Sequence, residues 1–363
     1  MSIKYSTWLI VLGLVLSCEL AARPKLKRLP EPTEQGVTGA VVVQTDTMVY
    51  VAGGLDPVAG SFKSQVLKWN GHRWSVAGAL REPLAHGVAV AVPGGFIYAG
   101  GTNAKGSSRA VDLYQFFDEG LPVVEALPDL PVGLERMAGA LIDQRLYLVG
   151  GITDGKAVNT VYLLKLDDTD AGWQRMVDFP GPPRAEAVMA VARQQGKQCL
   201  FLWGGYAPGY KDVEPVVSVD GLRFDPVTAE WSSVLPPVDK KGNIISLGAG
   251  AAVALDDTRI AISGGFNADV KRKELRRTSF FKGVERWSLL SHYFSKPIER
   301  YGFNQKMLIY DAARNRWKFV AEHEALARTG SAAVLFGTGI LLFQGEVKPG
   351  TAVGDVIHLT LPE

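Results

Sequence analysis

His86, Arg136 and Glu186 lie fifty residues apart in turn, and the first two stand fourteen residues ahead of a glycine, Gly100 and Gly150. Allowing for longer hairpins, Arg328 takes the same place near the end of the chain, and Arg184 precedes Glu186 by two residues. Polar side chains that recur at one point of a repeated unit share a depth and a radius once the units stack, so these are expected to converge on one rim. Any one of them is accounted for by satisfying backbone groups there. Four useful side chains at one equivalent place tip the set toward a ligand site. An arginine fork matches a carboxylate bidentately, which is the chemistry an acidic ligand needs. Glu346 is the sharpest single feature. Five repeats end in Gly-Gly, and the sixth reads Gly345-Glu346, a carboxylate where the backbone is expected to favour glycine. A residue placed against local preference is a candidate for function, although drift in a terminal repeat would leave a merely solvated carboxylate.

The elements that must carry these residues are visible as repeats. Apolar strands ending in a glycine pair occur at Val49–Gly54, Ile97–Gly101, Leu146–Gly151, Leu200–Gly205 and Ile260–Gly265, with Leu341–Glu346 as the sixth. The ends of these strands are 47, 50, 54, 60 and 81 residues apart. Trp74, Trp173, Trp231 and Trp317 each follow one strand later. Four short strands in about fifty residues describe a blade of an all-β, six-bladed β-propeller. The last repeat, Arg328 to Leu361, has room for three strands, and Lys25 to Pro30 is expected to supply the fourth and close the ring. A large indole on the outer strand fills the widening gap between blades.

Composition narrows the field. The chain has 363 residues, 47% of them hydrophobic, with 40 glycines and a net charge of +2. Its mean hydropathy is +0.07, which excludes a disordered chain, and nothing in the charge points to nucleic acid. Two cysteines, Cys18 and Cys199, make neither a disulfide framework nor a cysteine-rich zinc site. Cys199 reads as a small buried apolar residue, which argues against a copper-radical oxidase. The glycine pairs follow strands but open no helix, and there is no P-loop or H-E-x-x-H, so no metal and no cofactor is expected. Residues 271–304 form an insertion in the fifth blade with nine lysines and arginines against three acids. That is net +6 against +2 for the whole chain, and it reads as a partly helical excursion over the channel mouth. A solvated loop serves Lys271 to Arg277 equally well.

Residues 1–22 read as a signal peptide, with Lys4 ahead of the apolar run Trp8 to Leu16, too short to span a bilayer. Cleavage is open between Cys18, as a lipidated residue, and Ala21-Ala22. The mature chain, 23–363, is expected to be periplasmic or exported, and a lipid at Cys18 would be its one link to a membrane. The sequence does not fix the oligomeric state, so a homodimer stays open.

The glycine-pair strands with their Tyr-Asp and Trp turns resemble the kelch family. A more specific set is His292-Tyr293-Phe294, Lys296, Glu299, Tyr301 and Phe303-Asn304, then Tyr310-Asp311, Trp317 and Gly345-Glu346-Val347-Lys348-Pro349-Gly350. It resembles the N-acetylneuraminate epimerases, the sialic-acid mutarotases, in a cyclically permuted order. Arg184 onward is similar to that family's first blade, and Trp69 through Gly101 to its last two. The resemblance spans residues 25 to 361 and implies an isomerase that opens and closes an acidic sugar ring without a cofactor. It implies Glu346 as proton acceptor, with His292, Tyr293 and Glu299 as contacts. Where the family pattern has an arginine after Gly-Glu-x-Lys-Pro-Gly-x, this chain has Ala352, preceded by Thr351. Arg136 or Arg328 then supplies the charge, or the substrate differs. Two other readings stay open: a non-catalytic propeller that binds an acidic glycan or a protein, and a sialidase, disfavoured because repeated S-x-D-x-G-x-T-W boxes are missing.

Overall fold

The computed structural model describes residues 25–361 apart from 33–35, 46–47, 118–119, 210–212 and 281–282, and only the backbone of 279–280 and 283–287. The signal peptide expected over 1–22, with Cys18, lies outside the described residues.

The described residues form six four-stranded antiparallel sheets. Their innermost strands are Val41–Thr45, Val88–Val92, Ala138–Ile142, Val188–Gln194, Gly250–Ala254 and Ala332–Phe336, which begin blades 1 to 6. Each packs on the next, and the sixth packs on the first, so the ring is closed. Blade 6 takes its outermost strand from the N-terminal end: Lys25–Leu29 pairs antiparallel with Val356–Thr360, Lys25 opposite Thr360 and Leu29 opposite Val356. Closure gives blade 6 its fourth strand, so no blade is left short at the seam.

The second strand of each blade explains the apolar runs. Gly95–Ala99 and Gly339–Phe343 are buried at every residue, because neighbouring blades cover both faces and polar alternation would put groups into an apolar core. Outer strands such as Val123–Ala126 are largely exposed. The tryptophans bridge blades. The indole N–H groups of Trp74, Trp173 and Trp317 donate to the carbonyls of Pro30, Pro128 and Leu235, at 2.8–3.0 Å, each on the chain leaving the preceding blade. Trp231 instead packs tilted against Phe224 and edge-on to Phe179. Cys199 is fully buried.

The first glycine of each pair sits where the next blade's backbone passes. A Cβ at Gly150 would lie 2.5 Å from the Arg184 carbonyl oxygen. Its φ of +66°, with +102° at Gly151, is a conformation side chains rarely take. In blade 6 the same pair of angles, +49° and +102°, belongs to Gln344 and Gly345. The expected frame there is therefore off by one. Gln344 replaces the first glycine, and Glu346 follows the pair.

In blades 1 to 4 and 6 the pair leads into a short two-stranded hairpin, as in Leu55–Asp56 with Ser61–Phe62. Blade 5 puts two helices there, α1 (Ala268–Phe280) and α2 (Gly283–Phe294). Asn267 starts α1 by accepting the N–H groups of Asp269 and Val270 on its side-chain oxygen, the usual helix N-cap. Leu275 buries against Phe266, Val217 and Ala249, which seats α1 on blades 4 and 5. The Lys348 ammonium donates to the Phe294 carbonyl at 3.4 Å and ties the end of α2 to blade 6. No helix among the described residues is long and apolar enough to cross a membrane.

Candidate functional site

Two residues ahead of the innermost strand, or one in blade 5, the chain makes the same turn. Gly39, His86, Arg136, Glu186, Ala249 and Gly330 all have positive φ, between +53° and +67°. The N–H of His86 donates to the carbonyl of Gly39, Arg136 to His86, Glu186 to Arg136, Ala249 to Glu186 and Gly330 to Ala249, at 2.7–2.9 Å. A girdle of backbone bonds thus runs from blade to blade around the channel. Left-handed backbone is uncommon for non-glycine residues and tends to mark sites under functional constraint. Here it aims three polar side chains into the opening.

All six girdle residues line a cavity of about 640 Å³ at the channel mouth, roofed by α1 and α2. On its floor the Arg136 guanidinium donates one arm to Glu186 and the other, at 3.0 Å, to Nε2 of His86. A guanidinium can only donate, so Nε2 accepts and the imidazole proton sits on Nδ1. Burial, seconded by the Arg136 charge, holds His86 well below the ordinary histidine pKa, and the ring is neutral. It lies over Gly39, where a Cβ would come 2.4 Å from Nδ1. Burial works against the Arg136 charge, but Glu186, Tyr206 and Glu135 together outweigh it and the pKa rises above the ordinary arginine value.

The residue that follows the glycine pair is Leu55, Thr102, Ile152, Tyr206, Phe266 and Glu346 in blades 1 to 6, and Leu55, Tyr206, Phe266 and Glu346 form the next tier of the cavity wall. In five blades this residue, or its counterpart, is held by a backbone bridge to the residue ahead of the girdle, as in Thr329 with Glu346. Glu346 lines the cavity. Burial first, then repulsion from Glu186, pushes its carboxyl up, against the opposing pull of the Thr38 hydroxyl, Arg136 and the Gly350 N–H. Tyr206 is pushed up by burial and by Glu186. Lys271 reaches down from α1, its ammonium 4.6 Å from the Tyr206 ring centre and 3.3 Å from Glu274. Burial opposes its charge, yet Tyr206, Glu274 and Glu186 keep its pKa above the ordinary lysine value. Half-buried Tyr293 on α2 is pushed far up, chiefly by desolvation and then by Glu274, and stays protonated.

The family model for N-acetylneuraminate epimerase matches residues 127–362. The chain belongs to that family. N-acetylneuraminate epimerases of Yersinia enterocolitica and Salmonella enteritidis are each 30% identical to it, over 235 and 236 residues, and that of Yersinia pestis is 31% identical over 236. Each of these matches covers 64% of this chain and 57% of the relative, so the chain spans little more than half the length of the curated relatives it matches. The solved structure of YjhT superposes with a TM-score of 0.65 over 92% of this chain and 97% of that one, at 15% identity, which shows the same fold.

The stretch matched to the epimerase family carries Arg136, Glu186, Lys271 and Glu346, whereas His86 lies ahead of it. Of the candidate site residues singled out in the sequence, the structure brings His86, Arg136, Glu186, Tyr293 and Glu346 to one cavity. The others go elsewhere. Arg328 is not a girdle residue: Gly330 is, fifteen residues before Gly345, as Arg136 is before Gly151. Two places earlier the chain is still inside the wall, and Arg328 is buried with both arms on Asp355, at 2.8 and 3.3 Å. Arg184 occupies the equivalent place ahead of Glu186, two girdle residues away. It is buried as well, and holds Asp220 at 2.7 and 3.1 Å instead of reaching the opening.

His292 turns to a smaller cleft of about 180 Å³ between the helices, beside Lys273, Arg277 and Lys296. Its neighbours Tyr293 and Phe294 take the cavity side of α2. Glu299 stands on a turn beyond the helix and lines a separate cleft between blades 5 and 6. Tyr206, Phe266, Lys271 and Glu274 went unremarked as site residues. The signal for the first two was the place after the glycine pair, hidden by the frame taken for Glu346. Among the described residues no group of three or more His, Cys, Asp and Glu side chains is placed to hold a metal.

Proposed function

We propose that the chain interconverts the α and β anomers of N-acetylneuraminate by acid–base ring opening. The observation that carries this reading is Glu346: a carboxyl in a partly enclosed cavity, raised in pKa, beside the girdle of Arg136 and Glu186. A cavity of about 640 Å³ is the size of small-molecule sites in general. Glu346 takes the proton of the anomeric hydroxyl, the bond from the anomeric carbon to the ring oxygen breaks, and the ring oxygen takes a proton from the protein. The carbonyl so formed turns its other face, and the same transfers in reverse close the opposite anomer. A raised carboxyl pKa makes Glu346 a better proton acceptor near neutral pH. The phenols of Tyr206 and Tyr293, kept protonated by burial, are the donors at hand for the ring oxygen.

The permuted blade order belongs to the same reading. A linear match that begins at residue 127 leaves the first two blades unmatched, as expected when those blades correspond to the far end of the relatives. In a closed ring such a change moves only the seam.

Anomer equilibration followed by NMR tests the assignment. Glu346→Gln is expected to slow the catalysed rate by roughly 10² to 10⁴-fold. Equal rates in the two proteins would remove Glu346 from the chemistry. Saturable binding of the sugar by the wild type without conversion would leave a binding propeller.

A further inference from the structure

We infer that Lys271, lowered into the cavity by α1, holds the carboxylate of the acidic sugar and thereby sets the preference of the site for an acid. The inference rests on the anomer-interconverting reading. It follows from what each cation near the opening is already doing. Arg184 and Arg328 are turned into the wall, each with both arms on an aspartate. Arg136 does line the cavity, but one of its terminal nitrogens faces Glu186 and the other His86. Its charge is balanced by Glu186, and both terminal nitrogens are already engaged by neighbours.

Lys271 is placed differently. Its side chain is about one-fifth exposed and lines the cavity. The ammonium is braced between rings, 4.6 Å from the centre of Tyr206 and 5.8 Å from that of Phe266. Rings of this kind steady a cation without using up its N–H groups. Glu274 is 3.3 Å away, yet the oxygen it presents accepts no hydrogen bond of good geometry. An ammonium has three donors, so Lys271 keeps donors for a ligand.

The rest of the cavity makes the choice sharper. Glu186, Glu274 and Glu346 all line it, and a carboxylate set down among them meets like charge on most sides. Among the described residues, the Lys271 end is the place where a negative group meets a cavity-lining cation that is not already locked into side-chain hydrogen bonds of good geometry. In neuraminate the carboxylate is bonded to the anomeric carbon itself. Whatever group holds it also positions that carbon for proton transfer. Lys271 is therefore a specificity-determining residue as well as an anchor.

The test compares N-acetylneuraminate with its methyl ester, which has the same ring and no charge, as substrates of the wild type, Lys271→Met and Lys271→Arg. Wild type is expected to prefer the acid in kcat/KM. Lys271→Met should lose that preference, with kcat/KM for the acid falling on the order of tenfold to a hundredfold, the range of a charge-assisted hydrogen bond, and the ester little changed. Lys271→Arg should restore the preference. An unchanged preference in Lys271→Met overturns the role of Lys271 and leaves the isomerase reading standing. A wild type that accelerates neither substrate overturns both.

Discussion

Arg136 and Arg328 stand within two places of the same register, and each grips a carboxylate, yet one lines the cavity and the other is sealed in the wall. The difference is one of backbone. Arg136 occupies the left-handed girdle position, at φ +55°, and its partner Glu186 is the next girdle residue round. Their side chains remain 27% and 21% exposed. Arg328 stops two residues short of that turn and pairs within its own blade, at 4% exposed against 10% for Asp355. It also donates to the carbonyls of Gln344 and Ala325. Identical chemistry thus serves two ends, and the sign of one dihedral angle decides which. A pair inside the wall bolts a blade together. A pair on the girdle presents charge to a ligand.

Breaking the bolt should have the largest effect. Arg328→Met strips the partner from a buried aspartate, a change that costs about 3–5 kcal/mol when an ion pair is fully enclosed. Arg184→Met is the internal control, because its partner Asp220 is 48% exposed and can regain water. Urea unfolding should rank Arg328→Met well below Arg184→Met in stability. Equal losses would mean that burial does not separate the two pairs.

Breaking the girdle pair should cost less stability and touch the chemistry more. Arg136→Met is expected to lose about 1–3 kcal/mol, between the exposed and buried limits for ion pairs. Its signature is the pH profile. Glu346 accepts a proton only when ionised, and its pKa is already raised by burial and by Glu186. Activity therefore rises as pH climbs through that elevated value. Arg136 pulls the Glu346 pKa down, so removing it shifts the acid limb of kcat/KM to higher pH. An acid limb that stays in place would separate Glu346 from the girdle.

The architecture was legible because its signals are local. Glycine pairs and outer-strand tryptophans recur at blade spacing, and each answers a steric need within one blade or against the next. The site was only half legible. His86, Arg136 and Glu186 fell into line because blades 2, 3 and 4 reach their girdle residue at regular intervals of fifty. Blade 6 was misread in two ways. Gln344 takes a left-handed position that favours glycine, which hid the true pair, and Arg328 was set where Gly330 belongs. Glu346 nonetheless lines the cavity, for another reason than the one it was noticed for. Lys271 and Glu274 depend on where a long insertion folds back. Such contacts between distant residues leave no spacing to read.

The smallest expected effect concerns the girdle position where no polar chemistry is present. Ala249 sits at φ +57° and is nearly buried beside Phe266 and Leu275. Replacing it with glycine relieves the left-handed strain of an L-residue, about 1–2 kcal/mol. Against that, the unfolded chain gains freedom worth about 0.4–1 kcal/mol, and one buried methyl is lost at about 0.8 kcal/mol. The terms nearly cancel, so Ala249→Gly should unfold within about 1 kcal/mol of wild type in urea. The same methyl deleted from right-handed or extended backbone would have no strain to return and would simply destabilise. A loss above about 2 kcal/mol would therefore show that the turn is not left-handed at Ala249, and the argument from the girdle to the aim of His86, Arg136 and Glu186 would lose its footing.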